Sequence, residues 1–115
     1  MSGFNLSATL NIVRLAFNPQ LCMPHLVVPT FNGIPVPIPS TDSKIKAVVL
    51  DKDNCFAKAH DDKVWPEYTE KLDMLKKEYP GASMLIVSNS AGTNDDKEYL
   101  QAGILEEKTG VRVLR

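Results

Sequence analysis

The chain has 115 residues, 43% of them hydrophobic and 23% charged, which suits one domain with a real core and is small for an α/β enzyme. Thirteen basic against fourteen acidic residues leave a net charge of −1, which argues against a large non-specific nucleic-acid footprint. Two cysteines, Cys22 and Cys55, permit one disulfide but no disulfide framework, and no apolar run approaches the roughly 20 residues needed to span a bilayer.

Ser2 to Asn18 reads as a short helix, because Leu6, Leu10, Val13 and Phe17 form one apolar stripe at helical spacing. Ser7 or Asn5 can cap it, and Pro19 stops it by keeping the preceding residue out of helix. Two readings stand for this stripe: packing on the domain or a partner, and lying in a membrane interface. Arg14 is the single charge, so the polar face is poor in the basic residues that favour the second reading, and gives thin support to an import signal. No basic segment followed by an apolar core marks a secretory signal.

Residues 18–40 carry six of the eight prolines, a density that forbids helix and favours extended segments lying over a surface. Leu26 to Val28 and the alternating Ile34, Val36 and Ile38 are expected as short edge strands, with Asn32-Gly33 as the turn between them. The apolar content is too high for a pure linker, so this arm is expected to pack. The expected division is a helix and Pro-rich arm over 1–40, then an α/β unit over 41–115.

From Ile45 the chain runs Ile-Lys-Ala-Val-Val-Leu and stops at Asp51 and Asp53. Such a run reads as a buried strand of a parallel sheet, and ligands of open α/β sheets bind at the carboxyl ends of these strands. Alternation would point Asp51 and Asp53 to one side and Lys52 to the other. Two carboxylates so close repel unless a cation lies between them or one holds a proton, and both solutions suit magnesium-assisted phosphoryl transfer. Asn54 to Val64 is then a polar loop holding His60, Asp61 and Asp62, where a solvated histidine is the ordinary reading. Cys55 is not followed by the arginine of a cysteine-based phosphatase loop, and is expected as a free, packed thiol.

Pro66 to Tyr79 is the clearest helix, with Tyr68, Leu72, Leu75 and Tyr79 on one face and Glu67–Lys71 and Asp73–Lys77 as i,i+4 pairs. Pro80-Gly81 ends it, and Ser83 to Val87 is a second buried strand delivering Ser88 and Asn89. A third helix is expected from about Asn94 to Lys108, capped by Thr93 or Asn94 and stopped at Thr109-Gly110. Val111 to Leu114 starts a third strand, completing a parallel β-α-β-α-β unit.

Val-Val-Leu-Asp51-Lys-Asp53-Asn-Cys resembles the first motif of haloacid-dehalogenase-type (HAD) phosphatases, and Met84-Leu-Ile-Val-Ser88-Asn89 resembles their second. Leu26-Val-Val-Pro-Thr-Phe, His60-Asp-Asp-Lys-Val-Trp-Pro, Ser88-Asn-Ser-Ala-Gly and Leu105-Glu-Glu-Lys-Thr-Gly extend the likeness from about Asn11 to Arg115. Together these are similar to the fungal mitochondrial phosphatidylglycerophosphatases. The resemblance implies a HAD-like Rossmannoid parallel sheet with flanking helices, apparently truncated after the third strand. It implies that Asp51 is the nucleophile and Asp53 the acid and base, that Asp51 and Asp53 hold Mg²⁺, and that Ser88 and Asn89 bind the phosphoryl group.

It also implies a phospholipid substrate, peripheral membrane association and a place in the mitochondrion, on the matrix side of the inner membrane. Residues 54–64 become the flap over the site, and His60 a candidate head-group contact. With one helix and no cap domain between Asp51 and Ser88, the site is open enough for a lipid head group. HAD phosphatases also bring a late lysine or arginine and late acidic residues. None follows Arg115, so self-association or a C-terminal half is expected to supply them. Two other classes stand beside this reading: a non-catalytic membrane- or protein-binding module on a half-fold, and, last, a receiver-like phospho-acceptor.

Overall fold

The computed structural model describes residues 6–115; the expected helix start at Ser2 and its Asn5 cap lie outside them. Helix α1 spans Leu6–Phe17 and buries no residue, and a 3₁₀ turn over Pro19–Cys22 follows it. Leu6, Leu10, Val13 and Phe17 are all exposed. The stripe is there, but nothing among the described residues covers it.

The Pro-rich arm does not form the expected edge strands. Leu26 and Val27 are exposed, and Phe31–Gly33 is a 3₁₀ turn where the hairpin turn was expected. The reason is what the backbone pairs with. The Ile34 carbonyl accepts from Lys71 Nζ at 2.7 Å, the Ile38 N–H donates to Tyr79 Oη at 2.9 Å, and Asn32 Nδ2 donates to the Glu67 carbonyl at 3.0 Å. The first two bonds satisfy arm backbone groups with side chains and the third ties the Asn32 side chain to the start of the next helix, so these points of the arm need no neighbouring strand. Phe31 is buried against the Phe56 and Tyr68 rings, and Ile34, Val36 and Ile38 pack on the core. The arm packs, as its apolar content demands.

The sheet has three parallel strands in the order β1 (Val48–Asp51), β2 (Met84–Val87) and β3 (Arg112–Val113). A 3₁₀ turn over Pro66–Tyr68 leads into α2 (Thr69–Glu78), and α3 spans Leu100–Thr109. This is the α/β architecture with flanking helices that the strand–helix alternation predicts. Val48, Leu50, Met84, Ile86 and Val113 form one core with Leu72, Leu75, Tyr79, Ala102 and Leu105.

The strands are not buried on both sides, as the apolar runs suggested. Val49 is 63% exposed and Val87 37% exposed, alternating with buried neighbours. Two successive crossovers of the same hand in a sheet ordered 1-2-3 put both helices on one face. Among the described residues the other face of these strands is largely uncovered, with Leu85 half-buried on it.

Charge pairing along α2 also differs from simple i,i+4 spacing. Lys71 serves the arm, and Asp73 pairs with Lys76 at 3.1 Å. Lys76 also donates to the Thr109 carbonyl at 3.1 Å, tying α2 to the end of α3.

Candidate active site

The register puts Asp51 opposite Val87, so Ser88 follows directly on the residue paired with Asp51. The two expected motifs therefore end side by side at the carboxyl edge of the sheet. Asp51 is exposed, and its Oδ1 accepts from the Lys52 N–H at 2.9 Å.

Asp53 is fixed more firmly. Its Oδ1 lies 2.8 Å from Lys52 Nζ and accepts from the His60 N–H at 3.1 Å. The Lys52 ammonium, opposed only by modest burial, holds the Asp53 carboxyl below the usual carboxylate range, with His60 adding to it. Simple alternation pointed Lys52 away from this carboxylate. The chain leaves the strand at Asp51, and the long lysine stem brings the ammonium back to Asp53. Asn54 explains the turn: its φ is +57°, a left-handed conformation that asparagine tolerates better than most residues.

In the flap, His60 contributes through its backbone. It sits at φ +63° with its side chain exposed, and its N–H, not its imidazole, reaches Asp53. Asp61 Oδ1 accepts from the Lys63 N–H at 3.1 Å. Cys22 and Cys55 are both free thiols. Cys55 packs against the core, and burial, with the Asp51 charge, pushes its thiol up, which suits a packing residue.

Ser88 Oγ accepts from the Ser90 N–H at 3.2 Å and the Ala91 N–H at 3.3 Å, and lies 3.3 Å from Ser90 Oγ. A hydroxyl has two lone pairs and one proton. Here the lone pairs hold the loop, leaving the proton for Ser90 Oγ or an incoming oxygen. Asn89 is exposed beside it.

Two contributors were not singled out from sequence. Lys52 is one. Asp96 is the other, in place of the expected Thr93 or Asn94 cap: it is buried and accepts from Gly92, Gln101 and Ala102 N–H groups at 2.9, 2.9 and 3.0 Å. These bonds outweigh burial and hold its carboxyl below the usual range, with Arg115 adding to the effect. Asp96 thus ties the loop after Ser88 to the first turn of α3. The sequence signal was the taste of helix N-termini for aspartate; the helix itself begins at Leu100, six residues after the expected Asn94, because Glu98 and Tyr99 take left-handed backbone.

Residues 6–115 match the family model described as mitochondrial PGP phosphatase. The chain belongs to that family. It is 58% identical over 111 residues to Phosphatidylglycerophosphatase GEP4, mitochondrial, of Saccharomyces cerevisiae, covering 96% of this chain and 58% of that protein. It is 29% identical over 106 residues to the Probable phosphatidylglycerophosphatase, mitochondrial, of Schizosaccharomyces pombe, covering 85% of this chain and 51% of that one. The chain thus spans somewhat more than half the length of these relatives. No solved structure gives a significant match.

Proposed function

We propose that the chain carries the nucleophile-bearing part of a phosphatase that hydrolyses phosphatidylglycerophosphate to phosphatidylglycerol. The observation that carries this is the Asp51–Val87 register, which sets a strand-end carboxylate beside a strand-end hydroxyl at one sheet edge. Membership of the family and the names of both relatives support the substrate and a mitochondrial setting; the matrix side of the inner membrane is part of the same proposal and rests on the resemblance alone.

In this reading Asp51 attacks phosphorus, forming an aspartyl-phosphate as the alcohol leaves. Asp53 donates a proton to that alcohol and then takes one from the attacking water. The Lys52 ammonium favours the ionised form of Asp53, which suits the second step and opposes the protonated form that the first step needs. The Ser88 proton and Asn89 side-chain amide donate to phosphoryl oxygens.

Asp51 and Asp53 offer hard oxygens, and among the described residues no group of three or more His, Cys, Asp and Glu side chains converges. A carboxylate and a backbone carbonyl without a full protein cage fit an ion that keeps several waters, so the Asp51 carboxylate and the Asp53 backbone carbonyl are the groups that would hold it, leaving the Asp53 carboxylate for proton transfer. Bound there, Mg²⁺ would offset negative charge on the phosphoryl group.

The test is phosphate release from phosphatidylglycerophosphate in detergent micelles, with and without Mg²⁺, against Asp51→Asn. It is run on this chain alone and with a chain supplying the C-terminal portion of the relatives. Release that needs Asp51 and Mg²⁺ is expected in at least one arrangement. Release that survives Asp51→Asn, or none in either arrangement, refutes the proposal.

The exposed face of α1 favours a second role alongside catalysis, as a surface for membrane or protein. Flotation with liposomes, compared with a chain lacking residues 1–18, tests the membrane part; equal behaviour of both removes it.

A further inference from the structure

Lys52 is an unusual residue to find inside. Its side chain is 3% exposed, yet it lies between two candidate catalytic carboxylates at a sheet edge. A buried ammonium is tolerated when it is hydrogen-bonded and paired, and here two acceptors and one more distant carboxylate come from different points of the loop. They are Asp53 Oδ1 at 2.8 Å, the Asp61 carbonyl at 3.0 Å and, more loosely, Asp62 Oδ1 at 3.9 Å. Its backbone does the same work at shorter range: the Lys52 carbonyl accepts from the Cys55 N–H at 3.2 Å and the Ala57 N–H at 3.3 Å. The Asn54 N–H then donates to the Ala57 carbonyl at 2.9 Å, and the Trp65 N–H to the Phe56 carbonyl at 2.8 Å.

We propose that Lys52 is a positioning residue that fastens Asp53 and the return of the flap, residues 58–63, into one unit. The proposal rests on the reading of Asp53 as the acid and base of the reaction. One oxygen of the Asp53 carboxylate, Oδ1, is held by two groups, the Lys52 ammonium and the His60 N–H of the flap. The same ammonium grips the Asp61 carbonyl, so a displacement of the flap pulls on Asp53. Removing the ammonium leaves the His60 N–H as the remaining hold on that oxygen and cuts the link to Asp61. A neutral, apolar stem of the same length keeps the packing while removing the fastening, which makes Lys52→Met the informative change.

Three readouts separate this from a merely structural role. In the unaltered chain, the Lys52 ammonium protons must exchange with water slowly enough to give their own NMR resonance; fast-exchanging protons overturn the proposal without any variant. In Lys52→Met, backbone amides of residues 58–63 are expected to exchange about tenfold faster, while those of β2 keep the parent rate. Equal acceleration in β2, or none in the flap, overturns it. In the active arrangement, kcat is expected to fall about a hundredfold with KM within about threefold, as for a misplaced catalytic group. An unchanged kcat overturns it, as does a loss confined to KM. If the Met variant does not fold, Lys52→Gln keeps a neutral donor near Asp53 and must show the same local pattern at smaller amplitude; parent behaviour in that variant overturns the proposal. Asp51→Asn measured alongside keeps the outcomes apart. If it retains activity, the phosphatase reading fails, whereas the exchange and ammonium measurements still judge the fastening.

Discussion

Replacing Ser88 by Ala separates two roles for one oxygen. Ser88 Oγ accepts from the N–H groups of Ser90, which is exposed, and Ala91, which is buried. Water can take over the first. The second loses its partner in a place water reaches poorly, a cost of about 1 kcal/mol, comparable to losing a helix cap. For a chain of this size that lowers the urea midpoint by roughly 0.5–1 M. Ser88→Thr keeps the oxygen and should hold most of that stability. Urea unfolding followed by circular dichroism reads the difference. If Ser88→Ala unfolds at the parent midpoint, the oxygen does not hold the loop, and the reasoning fails. Phosphate release supplies the other arm: with the lone pairs occupied, the hydroxyl proton is what remains for substrate, so Ala should lower kcat/KM at least about tenfold. Thr should restore it in the same assay.

Two other perturbations test the frame around the site. Gly92 has φ +81°, and a Cβ there would run into the Leu114 carbonyl, so Gly92→Ala should cost at least about 1 kcal/mol in a thermal or urea melt; a stabilised variant would contradict the close approach of this loop to the end of β3. Acid should weaken the fold. Asp53, held chiefly by Lys52, Asp96, held by three N–H groups, and Glu106, held chiefly by Arg115 and then the Val113 N–H, all have folded-state pKa values below the ordinary carboxylate range. A depressed folded value means the stabilisation is full above the unfolded value and is lost as pH falls through the folded one, hence below about pH 4. Urea midpoints across that window should fall with pH and fall less steeply in Asp96→Asn; identical slopes would discount the Asp96 carboxylate.

Much of this protein is local enough to read directly. The spacing of Leu72, Leu75 and Tyr79 makes a helix with one buried face whatever surrounds it, and all three are buried. The apolar runs before Asp51 and before Ser88 pair in parallel, and their shared ending at polar residues follows from where strands run out of core. The free Cys55 thiol and the packing of the arm belong with these, since residue type and apolar content argue for them, whereas Phe31 as the arm's buried residue came from the fold.

Other features depend on who meets whom across the fold. That the strands are covered on one face follows from both crossovers having the same hand, which no single strand encodes. That the arm forms no strand follows from the Lys71 and Tyr79 side chains reaching its backbone from more than thirty residues away, with the Asn32 side chain reaching back to the Glu67 carbonyl. The burial of Lys52 required the flap to fold back over it, because a lysine beside two aspartates in a polar stretch looks solvated until Asp53, the Asp61 carbonyl and, at longer range, Asp62 close around its ammonium. Residue pattern determined the helices, the strands and the placing of Asp51 and Ser88 at their ends, because those depend on near neighbours. Long-range pairing decided the open face of the sheet, the course of the arm and the fastening of Asp53, because charges and backbone groups distant in sequence settle only once the chain has closed around them.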